Sequence, residues 1–446
     1  MTAELDMLIS GGTLLTMSDA MEKVRNAEIG IKDGTILFVR PMGGVYPVTT
    51  AKEIIDASGC LILPGLINTH THLPMVCFRG LADDLPLNEW LTNHIFPAEA
   101  RYVNPDMVNY GSLLGIAEML LSGTTSFCDG YFFSSSVARA AMEAGIRGIV
   151  GQGIIDYPTA DNPDPSKHLA IATGFVNKWK GVSPLITPAL FCHSPYTCSP
   201  ETLKNIKCLT REHDLPYLIH VSETLDEVKV IKDRYGLSPV GHLEKLGVLD
   251  NRTVAIHCVW VDDEEIDIIA RCGAGISHTP ESNMKLATGV APVPRMRKRG
   301  IAVGLGTDGC ASNNDLDLIL EMGTAARIHK VDTMDPTVIS AETALKMATK
   351  EGARILGLDD RIGSIEPGKC ADIIILDMKK PHLTPVYNEY SHVVYAASGA
   401  DVKTTIVNGR VVMRDRKILS FDMRTAMEKV RAVAQRIIED RSRGIY

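Results

Sequence analysis

The chain has 446 residues, 45% of them hydrophobic and 22% charged, with a formal net charge of −8. That length is expected to hold one large barrel plus a smaller accessory domain, and the composition argues against a disordered chain. An acidic balance with no basic run excludes nucleic-acid backbone binding as the main activity, so no nucleic acid is expected as a partner.

The segment from Met1 to Ser18 carries Glu4 and Asp6 and has no long apolar run, so no secretory signal is expected. No stretch is long and apolar enough to cross a bilayer, and no membrane partner is expected. The ten cysteines include no C-x-x-C pair, and Cys60, Cys128, Cys258 and Cys272 sit in apolar segments. Reduced, buried thiols of a cytoplasmic protein fit that distribution. The first sixty residues read as short strands from Met7 to Thr13, Glu28 to Lys32, Gly34 to Val39 and Glu53 to Asp56, separated by turns.

Eight apolar runs follow, each succeeded by a helix-length segment: Leu61 to His72, Gly123 to Tyr131, Arg147 to Asp156, Leu185 to His193, Pro216 to Glu223, Thr253 to Trp260, Gly273 to His278 and Ala302 to Asp308. The intervening stretches, such as Met107 to Leu121, Ser199 to Glu212 and Asp262 to Arg271, carry apolar residues at helical spacing after Pro, Ser or Asp starts. Eight alternating units with near-continuous apolar strands predict an α/β fold, a (βα)8 barrel of the TIM type over residues 61–367. Strand patterns return from Ala371 to Asp377 and from Lys403 to Met413, and a charged amphipathic helix is predicted from Met423 to Asp440. The two strand-rich ends, residues 1–60 and 368–446, are expected to fold together as one β-sandwich.

Chemistry in such barrels sits at the C-terminal strand ends, which here read His70-Thr71-His72, His193, His220, Glu223, His257 and Asp308. His70 and His72 are two residues apart on an extended segment, so both side chains leave one face and reach one ion. His220, His257 and Asp308 each terminate a different apolar run, a repeated placement that favours a metal site over scattered core histidines. Imidazole and carboxylate ligands suit zinc ahead of iron or manganese, and a catalytic zinc keeps one position for a water that it makes nucleophilic. Glu223, three residues beyond His220, is placed to carry a proton to a leaving group.

Together these segments resemble the amidohydrolase superfamily, specifically its branch of methylthioadenosine/S-adenosylhomocysteine, guanine and cytosine deaminases and triazine chlorohydrolases. The resemblance rests on Pro64-Gly65-Leu66-Ile67-Asn68-Thr69-His70-Thr71-His72, His220-Val221-Ser222-Glu223-Thr224, His257-Cys258, the run from Ser277 to Leu286, and Gly306-Thr307-Asp308. It implies that His70, His72, His220 and Asp308 bind one zinc per chain and that Glu223, His257 and Asp308 are catalytic. By the same resemblance Glu99, in Phe96-Pro97-Ala98-Glu99, grips ribose hydroxyls, and His193 and Glu223 contact the nucleoside. Gln152 and Trp90 are read as further substrate-facing residues. Family members that favour the homocysteine compound carry arginines after the third strand, whereas this chain has Gln152 and no arginine from Ile149 through Trp179. An unpaired substrate carboxylate gains little there, which counts against S-adenosylhomocysteine and leaves methylthioadenosine, 5'-deoxyadenosine and adenosine open.

The expected partner is therefore a small aminated purine nucleoside, and the chain is expected to assemble as a homo-oligomer. Dechlorination of a triazine, or deamination of another aminated ring, is the alternative within the enzyme class; Glu223 favours ammonia, because amine departure needs a proton and chloride departure does not. A metal-free scaffold is the alternative outside it, and would require broken ligands where all four are present. The zinc deaminases that flip bases need a P-C-x-x-C element that this sequence lacks.

Overall fold

The computed structural model describes residues 4–45 and 50–445. Eight parallel strands form one sheet in sequence order: β1 (Leu66–Thr71), β2 (Thr124–Tyr131), β3 (Arg147–Ile154), β4 (Ile186–Cys192), β5 (Tyr217–Val221), β6 (Thr253–His257), β7 (Gly275–His278) and β8 (Val303–Leu305). The first and last strands meet where Asp308 N–H donates to the His70 carbonyl at 3.0 Å and Asn68 Nδ2 donates to Thr307 Oγ1 at 2.8 Å. Closure therefore sets Asp308 beside His70, residues far apart in the chain. Ile67, Cys128, Ile149, Phe191, Leu218 and Ile256 are buried in a cluster along the sheet.

The helices start where the sequence supplies caps. Asn104, Ser199 and Ser238 each accept first-turn N–H groups with a proline following, and Asp262 forms a reciprocal capping box with Glu265. These side chains satisfy N–H groups that have no intrahelical partner, and proline at the first position costs nothing.

The expected strand from Leu61 to His72 is two strands. Cys60–Pro64 leaves the barrel and pairs antiparallel with Ile373–Asp377 and parallel with Thr13–Leu15; only Leu66–Thr71 belongs to the barrel. The change of sheet falls at Gly65, where a Cβ would lie within 2.0 Å of Thr125 Oγ1, so any other residue would push the two strands apart. Apolar periodicity alone reads continuously across that break.

Both chain ends build the second unit. A four-stranded sheet of Leu5–Ser10, Ala27–Lys32, Thr35–Pro41 and Ala51–Asp56 faces a seven-stranded sheet that includes Cys60–Pro64, Ile373–Asp377, Val402–Val407 and Arg410–Arg414. Ile9, Ile29 and Ile31 from the first sheet pack with Ile62, Ile375 and Ile406 from the second, the interdigitated core of a β-sandwich. The apolar stretch from Lys403 to Met413 is a hairpin, turned at Asn408 and Gly409, whose φ values of 49° and 74° are those of the tight turn favoured by that dipeptide. The final helix, Met423–Ser442, buries Ala426, Val430 and Ile437, and its Asp440 accepts hydrogen bonds from Tyr102 Oη at 2.8 Å and Arg101 Nε at 3.0 Å. It thus braces the segment that carries Trp90 and Glu99. No helix among the described residues is long and apolar enough to cross a membrane.

Candidate active site

The strand ends converge. His70 Nε2 lies 3.2 Å and His72 Nε2 3.3 Å from the same Asp308 oxygen, Oδ1, and His220 Nε2 lies 3.3 Å from His70 Nε2. His257 joins His70 and Asp308 in a second group whose ligand atoms all lie within 4.8 Å of one another. His257, which ends β6, Asp308, three residues past β8, and Ser222, just past β5, all have left-handed backbone, with φ of 70°, 60° and 52°. Such conformations cost non-glycine residues about 1–3 kcal/mol each and persist where the surrounding structure imposes them.

Two observations test whether these residues fit a metal ion. His72 Nδ1 is 2.6 Å from the Gly130 carbonyl oxygen, an acceptor that keeps the ring proton on Nδ1 and turns the Nε2 lone pair toward Asp308. Burial, then the neighbouring His70, pushes the His72 pKa down to about 4, so no second proton screens that contact at neutral pH. A lone pair facing a carboxylate oxygen at this range is repulsive unless a cation lies between them. The second observation is metric: the spacings of 3.2, 3.3 and 3.3 Å match the edge, about 3.3 Å, of a tetrahedron with zinc–nitrogen bonds of about 2.0–2.1 Å. The donor set fits a divalent ion such as zinc.

Other groups orient this cluster. Asp308 Oδ2 accepts hydrogen bonds from Ser282 Oγ at 2.7 Å and Ser312 Oγ at 2.9 Å, which leaves Oδ1 toward the imidazoles. His257 Nδ1 is held by Thr279 Oγ1 at 2.8 Å, and its Nε2 faces Glu223 Oε2 at 3.6 Å. Burial, reinforced by the charge of Asp308, raises the Glu223 carboxyl to about 8. His193 Nδ1 contacts Thr197 Oγ1 at 3.0 Å, and its ring centroid is 5.1 Å from that of His220.

The cluster forms the floor of a cavity of about 760 Å³. Trp90, Glu99, His193, Glu223 and His257 all line it. Tyr131 Oη donates to Glu99 Oε1 at 2.7 Å, and burial raises the Glu99 carboxyl to about 7 against the effect of that hydrogen bond. Gln152 does not line the cavity: its Nε2 donates to Asp161 Oδ2 at 3.1 Å and to the Gly153 carbonyl at 3.2 Å. Among the described lining residues there is neither lysine nor arginine, and Leu91, Phe96, Phe132, Ile155, Tyr157 and Pro158 give much of the wall an apolar surface.

Sequence reasoning did not single out Ser282, Ser312, Thr279, Tyr131 or Glu227. Ser282 and Thr279 lie in the Ser277 to Leu286 run, whose polar residues signal a site, but no spacing rule aims a particular hydroxyl at Asp308. Tyr131 ends an apolar strand and reads as core.

Fold and cluster together define a (βα)8 barrel with an imidazole–carboxylate cluster at its strand ends that could hold a metal ion. The chain belongs to the amidohydrolase family, whose model it matches over residues 61–412. It is 46% identical over 435 residues to a 5-methylthioadenosine/S-adenosylhomocysteine deaminase 1 of Syntrophus aciditrophicus, an alignment spanning 98% of both chains. It is 48% identical over 410 residues to a 5'-deoxyadenosine deaminase of Methanothermobacter thermautotrophicus, spanning 91% of this chain and 95% of the relative. The crystal structure of an adenosine deaminase from Xanthomonas campestris with bound zinc superposes with a TM-score of 0.96 at 35% identity, over 98% of this chain and 100% of the other.

Proposed function

We propose that this protein hydrolytically deaminates an adenine nucleoside with a neutral 5' end, such as 5'-methylthioadenosine, 5'-deoxyadenosine or adenosine, giving the inosine analogue and ammonia. The observation that carries the reading is one cavity with a cluster that could hold a metal ion and a raised carboxyl, Glu223, on its floor, a second carboxyl, Glu99, on its wall, and no lysine or arginine among the described lining residues. His70, His72, His220 and Asp308 would hold one zinc. Bound there, the ion supplies Lewis-acid activation that makes a water nucleophilic at neutral pH.

The chain's own groups handle the protons. The water oxygen adds to C6 of the adenine ring, and the Asp308 carboxylate takes the proton that the water loses. Glu223, protonated at neutral pH because its pKa is raised to about 8, donates to the ring nitrogen beside C6. His257 Nε2 faces the same space and steadies the oxygen in the tetrahedral adduct. The Glu223 carboxylate left behind takes the remaining proton of the C6 hydroxyl and passes it to the amine, which leaves as ammonia as the C6–N bond breaks and the C6 carbonyl forms; the proton held by Asp308 then returns to Glu223, so that water enters and ammonia departs with no net change in the protein. Glu99, oriented by Tyr131, accepts hydrogen bonds from the ribose hydroxyls, and Trp90 and His193 flank the nucleoside. The charged end of S-adenosylhomocysteine meets neither lysine nor arginine among the described lining residues, and burying an unpaired carboxylate is costly.

A screen of ammonia release over adenosine, 5'-methylthioadenosine, 5'-deoxyadenosine, S-adenosylhomocysteine, guanine and a chlorotriazine tests the reading. The neutral nucleosides are expected to be turned over, with kcat/KM for S-adenosylhomocysteine about tenfold or more lower. Chloride release from the triazine without ammonia from any nucleoside would replace this proposal with the chlorohydrolase.

A further inference from the structure

One buried carboxylate at the site has no part in the reaction as described. Glu227 is 4% exposed, lines the cavity, and forms no ion pair among the described residues. Its two oxygens accept from different backbone donors: Ser222 N–H to Oε1 at 3.0 Å and Glu223 N–H to Oε2 at 2.9 Å. It lies in the first turn of the helix Leu225–Tyr235, capped by Thr224, whose Oγ1 accepts the Glu227 N–H at 3.1 Å. A glutamate at this third helical position ordinarily reaches back to the N–H of the cap residue itself. This one reaches past the cap to the two residues before it.

The segment so held is the turn that presents Glu223. Ser222 is left-handed at φ 52°. On its other side the turn is tied to the segment after β6, where Cys258 N–H donates to the Val221 carbonyl at 3.0 Å and Trp260 N–H to the Ser222 carbonyl at 2.9 Å. Carbonyls are thus engaged on one side and N–H groups on the other, and the N–H side depends on a single side chain. We infer that Glu227 is a positioning residue: it clamps the Ser222–Glu223 backbone and so aims the Glu223 carboxyl at the reacting centre. The inference rests on the deaminase reading above. Glutamine in its place offers one acceptor and sets its own N–H against the other backbone donor, and aspartate, one methylene shorter, cannot span both.

The leaving group separates positioning from general support. Amine departure needs the proton that Glu223 carries from the C6 hydroxyl to the amine, whereas chloride departure does not. The zinc-loaded Glu227→Gln and Glu227→Asp variants are assayed for ammonia release from adenosine and chloride release from 6-chloropurine riboside in the same sample, so that the ratio cancels any loss of folded protein. The ratio is expected to fall about tenfold or more relative to wild type, as is expected for Glu223→Gln, with zinc content unchanged. A ratio equal to wild type in both variants, whether the two activities fall together or neither falls, overturns the inference. As a second measurement, Glu227→Gln is expected to add little to the loss of ammonia release already caused by Glu223→Gln, and fully additive losses overturn it as well. Wild-type protein that releases no ammonia from any adenine nucleoside sinks the deaminase reading instead, a separate result.

Discussion

Glu223 follows β5 and His257 ends β6, yet their side chains meet, with Oε2 3.6 Å from Nε2. Burial acts on them in opposite senses: it raises the carboxyl to about 8 and lowers the imidazole to about 4, so that both are neutral at pH 7. The carboxyl then holds a proton to give. Glu223→Gln is expected to lower kcat for ammonia release by about a hundredfold to ten-thousandfold, with zinc content at the wild-type level. An unchanged kcat would remove Glu223 from the proton path.

Elemental analysis of the purified protein is expected to find about one zinc per chain. His72→Ala and Asp308→Asn should lose both the metal and turnover. Because Ser282 fixes the free oxygen of Asp308, Ser282→Ala should retain the fold and weaken zinc affinity about tenfold to a hundredfold, read by competition with a chelator. Metal-free wild type with full activity would contradict the whole site.

Glu99 gives a pH signature. Its carboxyl ordinarily titrates near 4.5, and burial raises it to about 7 in the folded chain. Below about pH 4.5 the group is protonated whether the chain is folded or not. Between the two values the folded chain holds a proton that the unfolded chain has lost, so its contribution to stability declines as pH rises and is gone once pH passes through 7. Wild type should therefore lose stability relative to Glu99→Gln between pH 5 and pH 8, measured by denaturant melts. Parallel profiles would show that Glu99 does not titrate in this range.

Arg147, at the start of β3, meets Asp372, just before the sandwich strand Ile373–Asp377, through Nε to Oδ2 at 2.9 Å and Nη2 to Oδ1 at 3.2 Å, with both side chains 2% exposed. Asp372 also accepts the Asn408 N–H at 2.7 Å. Arg147→Met strands a carboxylate in the interior and is expected to cost about 3–5 kcal/mol of unfolding free energy. A loss below about 1 kcal/mol, the range of exposed pairs, would mean that water reaches the pair.

Much of this protein follows from the chain alone. The eight apolar runs, the helical segments with their caps, and the histidines and aspartate that end the runs are local patterns, because strand period, capping chemistry and the same-face rule for His70 and His72 act over a few residues. Tertiary structure decided the rest. The break at Gly65 depends on Thr125, a neighbour far along the chain, so the run from Leu61 to His72 gave no sign of it. Gln152 occupies a place in the sequence that suggests substrate contact, but Asp161, brought near by the loop after β3, takes its amide. The hydroxyls of Ser282 and Ser312 on Asp308, the Tyr131 grip on Glu99 and the Glu227 clamp on Glu223 all arise when separate segments meet at one end of a barrel. Sequence determined which groups are available and roughly where along each strand they stand; only closure of the barrel decided which atoms face one another, because hydrogen bonding and desolvation act through space, over distances that spacing along the chain does not encode.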